Sequence, residues 1–327
     1  MSEERLLTPS EIESARERIR GRIPPTPLRR SFALRPHDAW LKLECWQPTG
    51  SFKVRGALHH LLSLSEEERR RGVVAASAGN HALGIAWAVQ ALGGSVPAVL
   101  FLPESAPDAK VEKLRSFPVT VRQTGATYED AYDASLAYAE ATGARYLHAF
   151  EDPLTAAGQG TVGLEILEQL PEVGQIVVPV GGGGLISAIA VAVKASAPGV
   201  RIVAVQPEAS PSLSESLARG RALLRYPSAP TLADGVAGGI GEIAFRHRSL
   251  IDEVVNVPES AIEDAIAALL AEDQIVAEGA GALAPAALRC GLLAGDGRPI
   301  ALVVTGGNID ARHLARLLAS RFPEPCS

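Results

Sequence analysis

The chain has 327 residues, of which 47% are hydrophobic and 21% are charged, and its formal net charge is −6. This length and composition predict a globular protein large enough for two domains, and the interspersed charges argue against nucleic acid or a membrane as a partner. Three cysteines without CxxC spacing (Cys45, Cys290 and Cys326) argue against a disulfide framework and a thiolate metal site, and with a start that lacks a signal pattern they favour a cytoplasmic location.

The first predicted element is a helix, because Thr8-Pro9-Ser10-Glu11 combines a capping box with proline at the first helical position. This helix is expected to run to about Arg20. Predicted strands then alternate with predicted helices. The strands cover residues 40–44, 73–76, 96–102, 119–123, 176–180, 201–205 and 300–304, and the helices cover residues 81–91, 129–142, 185–195 and 310–320. This alternation predicts an α/β fold with mostly parallel sheets.

Three polar or glycine-rich turns follow the carboxyl ends of predicted strands. They are Ser77-Ala78-Gly79-Asn80-His81, Gly181-Gly182-Gly183-Gly184 and Thr305-Gly306-Gly307-Asn308. In open α/β sheets, ligands bind in the crevice outside these strand ends. We therefore expect the three turns to meet at one ligand, although the turns at residues 77–81 and 305–308, each taken alone, could equally be structural turns without a ligand.

The glycine run, residues 181–184, lies between a predicted strand and a predicted helix, where backbone N–H groups and the helix N-terminus can hold an anion. It lacks the Gly-Lys-Ser/Thr ending of a Walker sequence and the GxGxxG spacing of a dinucleotide fold, which disfavours a nucleotide. Four glycines also carry a high conformational entropy for a turn that binds nothing. The run therefore predicts a phosphate cradle.

Lys53 ends the sequence Thr49-Gly50-Ser51-Phe52-Lys53, a small polar turn followed by an aromatic ring. Most lysines are solvated surface groups, and Lys53 considered alone would be one. A lysine acts as a nucleophile or base when its pKa falls, which burial or imine formation achieves. An amine that forms an imine and a cradle for a phosphate together indicate a cofactor that is both an aldehyde and a phosphate ester, namely pyridoxal 5′-phosphate (PLP).

With these four segments in order, the chain resembles the fold-type-II, tryptophan synthase β-like PLP enzymes, and within them the serine/threonine dehydratase and serine racemase group. The resemblance starts at Thr26-Pro27-Leu28, ends at the 305–308 turn, and includes Gly158-Gln159-Gly160-Thr161, Ala233-Asp234-Gly235 and Glu278-Gly279-Ala280-Gly281. It implies two open, twisted, mostly parallel sheets flanked by helices. It also implies a large PLP-binding domain of residues 1–71 and 149–327, a small mobile domain of residues 72–148, and a homodimer.

The resemblance further implies which residues contact the cofactor. Lys53 would hold PLP as an imine and would serve as the catalytic base. The remaining cofactor contacts would be Phe52 beside the ring, Asn80 at the phenolic oxygen, Gly181, Gly182, Gly183 and Gly184 at the phosphate, and Thr305 at the pyridine nitrogen.

The substrate implied by the resemblance is a small amino acid. Its carboxylate would be received by the loop that contains Ser77, Asn80 and His81, and Gly235 would lie near its side chain. The implied reaction is β-elimination, in which L-threonine or L-serine gives a 2-oxo acid and ammonia. The hydroxyl of Thr305 holds a ring proton only weakly, which favours elimination over transamination.

Two departures from the family pattern refine this expectation. Racemases of this group have a serine where this chain has Ala78, so a dehydratase is expected rather than a racemase. Metal-binding members have acidic residues where Gln206 and Ser212 stand, so no metal site is expected there.

Several alternatives stay open from the sequence. The glycine-rich residues 234–239 would leave room for another 3-hydroxy amino acid or a hydroxyectoine catabolite. Serine racemase-like activity is a further alternative, and a non-catalytic protein that binds PLP or an amino acid is the last.

Overall fold

The computed structural model describes residues 6–322, which form two β-sheets flanked by helices. The strands are β1 (Leu28–Arg30), β2 (Ala39–Leu43), β3 (Val73–Ala76), β4 (Ala98–Leu102), β5 (Thr120–Gln123), β6 (Arg145–Tyr146), β7 (Gln175–Pro179), β8 (Arg201–Pro207), β9 (Glu253–Val257) and β10 (Ile300–Val304).

The α-helices before the glycine run are α1 (Pro9–Ile19), α2 (Lys53–Ser63), α3 (Glu66–Arg71), α4 (Asn80–Ala91), α5 (Asp108–Arg115), α6 (Tyr128–Thr142) and α7 (Pro153–Gln169). Those from the glycine run onward are α8 (Gly184–Ser196), α9 (Ser212–Arg219), α10 (Glu242–Arg246), α11 (Glu259–Asp273), α12 (Gly279–Arg289) and α13 (Ala311–Arg321). Short 3-10 helices occupy Glu44–Trp46, Asp234–Val236 and Arg248–Leu250.

The larger sheet has six strands in the order β1-β2-β10-β7-β8-β9, and the smaller has four in the order β5-β4-β3-β6. Every pairing is parallel except that between β1 and β2. Parallel sheets covered on both faces need strands that are apolar on both sides, and β3, β4, β7 and β10 are buried at every position. The predicted α/β fold with mostly parallel sheets is confirmed.

Strand β10 shows how helices cover both faces of the larger sheet. Ile300, Leu302 and Val304 belong to a hydrophobic cluster with α11 and α12, whereas Ala301 and Val303 belong to a second cluster with α7 and α8. This alternation follows from the two-residue period of a strand. All strands of the smaller sheet lie between residues 73 and 146, and the division into a large and a small mobile domain stays a prediction.

The predicted elements are found at their expected places, with small differences at their ends. The strand predicted from residue 96 begins at Ala98, after Pro97, which has no N–H for a sheet ladder. The helix predicted from residue 81 begins at Asn80. Cys326 lies outside the described residues. Within residues 6–322, no helix is both long and apolar enough to cross a membrane.

Candidate active site

The Lys53 turn is joined to the turn after β10 by backbone hydrogen bonds. The N–H of Phe52 donates to the carbonyl of Thr305 over 3.1 Å, and the N–H of Gly307 donates to the carbonyl of Gly50 over 2.9 Å. Between these bonds, Ser51 and Gly306 form an isolated antiparallel bridge. Two of the predicted site segments are therefore one paired unit, and it presents Lys53 at the carboxyl end of β10.

Helix α2 begins at Lys53 and packs closely on α7. A Cβ at Gly158 would lie 2.6 Å from the Cα of Gly56, so the two helices cross at glycines. The side chain of Gln159 accepts the N–H of Gly56 over 3.1 Å. The signature that begins at Gly158 thus fixes the helix that carries Lys53.

A buried ion-pair network also fixes helix α2, through its residue Arg55. The guanidinium of Arg55 donates to Glu44 over 2.7 Å and to Glu165 over 2.6 Å, and Lys42 donates to Glu165 over 2.5 Å. Arg55 also donates to the hydroxyl of Thr161 over 3.1 Å. The cations and carboxylates compensate one another, which is the condition under which buried charges are tolerated.

The amine of Lys53 is enclosed by protein. Its Nζ donates to the carbonyl of Ala149 over 3.0 Å and lies 4.9 Å from the centre of the Phe52 ring. Burial lowers the pKa of Lys53 to about 8, against the opposing effect of the Glu278 carboxyl. At pH 7, about a tenth of this amine is therefore unprotonated and able to attack a carbonyl or accept a proton.

The glycine run connects β7 to the N-terminus of α8. Its Gly183 has a φ of +86°, which favours glycine, and a Cβ there would overlap the side chain of Ala244. A Cβ at Gly182 would overlap the ring of Phe150. In the described part of the chain, the N–H groups of residues 181–183 donate to no protein acceptor. Open N–H groups at the start of a 13-residue helix form an anion site.

A single cavity of about 750 Å³ contains all the residues that sequence reasoning proposed. This volume is typical of sites that bind a cofactor or a small ligand. The proposed residues that line it are Phe52, Lys53, Ser77, Asn80, His81, Gly181, Gly182, Gly183, Gly184, Gly235 and Thr305. The structure thus brings together segments that are widely separated in the sequence.

Two side chains of the loop that leads into α4, Ser77 and His81, already form hydrogen bonds within the protein. The Ser77 hydroxyl accepts the N–H of Gly79 over 3.2 Å. The Nε2 of His81 lies 2.9 Å from the carbonyl of Leu147, which can only accept, so this nitrogen carries the proton. Burial lowers the pKa of His81 to about 3, so its ring is neutral. An anion at this loop would be held by the N-terminus of α4 rather than by a charged histidine.

Several cavity residues were not assigned a role from the sequence. Phe150 and His148 pack edge to face with ring centres 4.6 Å apart, and His148 Nδ1 accepts the N–H of Glu151 over 2.9 Å. Burial lowers the pKa of His148 to about 4, so it is neutral as well. No local pattern distinguishes these residues, because their position depends on the long-range packing of the strand-to-helix connection against the glycine run.

Glu278 also lines the cavity, and its signature, Glu278-Gly279-Ala280-Gly281, was the only sequence signal for it. Its Oε1 accepts an N–H of the Asn80 amide over 2.7 Å. Burial raises the pKa of Glu278 to about 7, and the nearby carboxyl of Asp234 contributes in the same direction. The site therefore contains a carboxyl that is partly neutral near neutral pH.

Thr305 directly follows β10 and lines the cavity. Its backbone is held by Phe52, but among residues 6–322 its hydroxyl has no hydrogen-bond partner. A hydroxyl both donates and accepts, so it suits a ring nitrogen in either protonation state.

The positions expected to lack metal ligands are occupied by a neutral network. The Gln206 side-chain oxygen accepts the N–H of Leu213 over 2.9 Å, and its nitrogen donates to the Ser212 hydroxyl over 3.3 Å. Ala78 packs against the hydrophobic cluster of the smaller sheet. The described residues include no group of three or more His, Cys, Asp or Glu side chains placed to hold a metal ion.

These features fit PLP. Open N–H groups and crowded glycines suit its phosphate, the enclosed amine of Lys53 suits its aldehyde, and the Asn80 amide and Thr305 hydroxyl offer neutral partners for its polar ring atoms. The donor set contains no Walker lysine, so it matches a phosphate monoester rather than a nucleotide.

Comparison with known proteins agrees with this fit. A family model described as "Pyridoxal-phosphate dependent enzyme" matches residues 19–306. An L-threonine ammonia-lyase of Thermotoga maritima is 45% identical over 318 residues, covering 96% of this chain and 78% of that protein. The enzyme of the same name from Geobacter sulfurreducens is 42% identical over 310 residues, covering 93% and 76%. Maize serine racemase superposes with a TM-score of 0.90 at 33% identity, covering 97% of this chain and 98% of that one. The chain belongs to the family of pyridoxal-phosphate-dependent enzymes of fold type II.

Proposed function

We propose that this protein is a PLP-dependent ammonia-lyase that eliminates the β-hydroxyl of L-threonine, and of L-serine, as water. Hydrolysis of the resulting enamine takes up one water and gives the corresponding 2-oxo acid and ammonia. The observation that carries the proposal is the single cavity in which Lys53, the glycine run and Thr305 meet. The similarity to threonine ammonia-lyases at 45% identity over nearly the whole chain supports the choice of substrate.

The proposed cofactor contacts are those that line the cavity. Lys53 holds the aldehyde carbon, Phe52 packs beside the ring, Asn80 donates to the phenolic oxygen, and Thr305 meets the pyridine nitrogen. The N–H groups of Gly181, Gly182, Gly183 and Gly184 bind the phosphate, aided by the N-terminus of α8. Bound PLP supplies an aldehyde that condenses with an amino group and a ring that accepts electron density from Cα.

Lys53 is the proposed base for the Cα proton. Its pKa of about 8 leaves part of the amine unprotonated at neutral pH, and the carbonyl of Ala149 fixes the direction of its Nζ. The two histidines near it, His81 and His148, are neutral and add no competing charge, because burial lowers the pKa of each far below neutrality.

The substrate is proposed to bind with its carboxylate at the loop of Ser77, Asn80 and His81, where α4 begins beside the cavity and its first N–H groups lack intrahelical acceptors. Its side chain then points toward Gly235, beyond which a Cβ at Gly238 would meet nothing within 4 Å. This open space is the reason to keep a bulkier 3-hydroxy amino acid as a second candidate.

A dehydratase is preferred to a racemase because of Ala78. Racemisation requires a second acid or base on the face of Cα opposite Lys53, and a methyl group packed against an apolar cluster offers none. Thr305 favours the same outcome, since a neutral hydroxyl does not keep a ring nitrogen protonated as a carboxylate would.

The protein is further proposed to act as a cytoplasmic homodimer. Residues 72–148 form the small domain that closes over the substrate, as lids in many enzymes do. The cavity lies between this segment and the remainder of the chain, which supports such a closure.

The test is a substrate panel with purified, PLP-loaded protein. L-threonine, L-serine, D-serine, a hydroxyectoine catabolite and a bulky 3-phenyl-serine are compared for release of ammonia and 2-oxo acid, with and without EDTA, and L-serine is also assayed for inversion. The proposal predicts ammonia from L-threonine in both conditions and a release slower by about 10³-fold from Lys53→Ala. Ammonia from none of the substrates, or inversion faster than elimination, would overturn it.

A further inference from the structure

Asn308 lies at the end of the turn after β10, outside the set of proposed cofactor contacts. Its side-chain nitrogen donates to the carbonyl of Thr49 over 2.8 Å and to the side-chain oxygen of Asn80 over 2.7 Å. Its own side-chain oxygen lies 3.3 Å from the Nζ of Lys113, which can only donate. Both N–H groups and the oxygen of this amide are therefore hydrogen-bonded.

The Thr49 carbonyl decides which way the Asn308 amide faces. A backbone carbonyl can only accept, so the –NH₂ group of Asn308 must be on that side. The second hydrogen of the same –NH₂ group is donated to Asn80, so the atom of Asn80 that accepts it must be the side-chain oxygen. The ammonium of Lys113 on the other end enforces the same choice. Two groups of fixed polarity thus set the orientation of a chain of two amides.

The consequence for Asn80 follows by counting its hydrogen-bonding groups. Its oxygen accepts from Asn308, and one N–H donates to Glu278 Oε1 over 2.7 Å. An amide nitrogen has two hydrogens, so a second N–H remains, and Asn80 lines the cavity. If the Asn80 amide were reversed, its oxygen would replace this donor and would repel an oxygen anion.

Gly50 makes this arrangement possible. It has a φ of +74°, and a Cβ on it would lie 2.8 Å from the side-chain oxygen of Asn308. The glycine of the Lys53 turn therefore gives Asn308 the space to approach Thr49. This contact accounts for Gly50 and Asn308, which are parts of two sequence motifs but do not contact the cavity in the proposed function.

We propose that Asn308 is a positioning residue that fixes the orientation of the Asn80 amide and thereby directs one Asn80 N–H toward the phenolic oxygen of bound PLP. The inference deepens the proposed function and rests on its assignment of Asn80. Asn308 itself does not contact the cofactor. It acts through its hydrogen bond to Asn80. Its effect should therefore be detectable in the ionisation of the phenolic oxygen, which changes the absorbance of the cofactor.

The test measures the absorbance of the bound cofactor as a function of pH in the holoenzyme. An N–H donor stabilises the anionic form of the phenolic oxygen, and a hydrogen bond to a charged group is stronger than one between neutral groups. Loss of the donor should therefore raise the pH midpoint of the absorbance change by at least about one unit. Asn80→Ala removes the donor directly, and Asn308→Asp replaces the orienting –NH₂ by oxygen at the same size.

We expect both variants to raise the midpoint by a similar amount, and the double variant to raise it no further than Asn80→Ala alone. Lys113→Ala is the matched control. It removes a bond to the exposed end of the same amide but leaves the Thr49 carbonyl to orient it, so its midpoint should stay that of the unchanged protein. Should Asn308→Asp fail to fold, Asn308→Ala is used, for which a smaller rise in the same direction is expected.

Two results would overturn the inference while leaving the role of Asn80 intact. One is an unchanged midpoint in both Asn308 variants when Asn80→Ala shifts it. The other is an additional shift in the double variant, which would mean that Asn308 acts independently of Asn80. An unchanged midpoint in Asn80→Ala itself would instead refute the proposed contact of Asn80 and the inference with it, whatever the substrate of the enzyme.

Discussion

Replacing Glu278 by glutamine is expected to stabilise the cofactor-free protein by an amount that grows with pH. The pKa of the Glu278 carboxyl is raised from 4.5 to about 7 by burial. A group whose pKa is higher in the folded state binds its proton more tightly there, so its favourable contribution is complete below pH 4.5 and is lost as the pH rises to 7. Glutamine has the same shape, still accepts from Asn80, and carries no charge to bury.

The magnitude follows from the two pKa values. At 1.36 kcal/mol per pH unit, the free energy of unfolding of Glu278→Gln should exceed that of the unchanged protein by about 1 kcal/mol at pH 5 and by about 3 kcal/mol at pH 8. The midpoint of urea unfolding, measured on protein freed of PLP, reports this difference. The same substitution at Glu66, an exposed residue of α3, serves as the control and should show no comparable trend with pH.

This reasoning is refuted if the free energies of unfolding of Glu278→Gln and of the unchanged protein differ by the same amount at pH 5 and at pH 8. Such a result would mean that Glu278 ionises in the folded chain as easily as in the unfolded one. A glutamine variant that is less stable at pH 8 would contradict it more strongly, because the carboxylate would then be stabilised by the site.

Three further outcomes follow from the site and its support. Lys53→Ala should abolish the imine absorbance and reduce ammonia release by about 10³-fold, within the range for loss of a positioned base, and retention of either would contradict its role. Gly182→Ala, whose Cβ would overlap the Phe150 ring, should weaken PLP binding by about tenfold in a fluorescence titration, whereas Gly199→Ala, which meets nothing within 4 Å, should bind normally. Arg55→Leu leaves the buried carboxylate of Glu44 without its paired cation, while Glu165 keeps Lys42, and it should lower the free energy of unfolding by about 3–5 kcal/mol; a loss below about 1 kcal/mol would show that the network is dispensable.

The sequence predicted the elements whose pattern is local. The apolar run of β10 and the capping box of α1 can each be recognised from a few consecutive residues. The glycine run likewise indicates an anion site without information from other parts of the sequence. Parallel strands of one sheet present their carboxyl ends at one edge, so the meeting of the glycine run after β7 with the turn after β10 also followed from local signals. The turn at residues 77–81 follows β3 of the smaller sheet, and its approach depends on how the two sheets are placed.

Other features depend on contacts that leave no local pattern. Helix α7 is buried along most of its length, so it lacks the one-sided periodicity that marks a surface helix. The contact of Asn80 with Glu278 joins residues 198 positions apart, and neither side chain predicts the other. The shifted pKa of Glu278 is likewise a property of its enclosure and not of its neighbours in the sequence.

The pairing of the Lys53 turn with the turn after β10 has a consequence for the order of events during synthesis. Thr49 and Asn308, which meet there, are separated by 259 positions, and β10 lies between β2 and β7 in the larger sheet. A ribosome releases β2 and β7 long before the strand that separates them. The interior position of this sheet that β10 occupies can be filled only after residues 300–304 have emerged, and the Lys53 turn stays without its backbone partners until the turn after β10 follows.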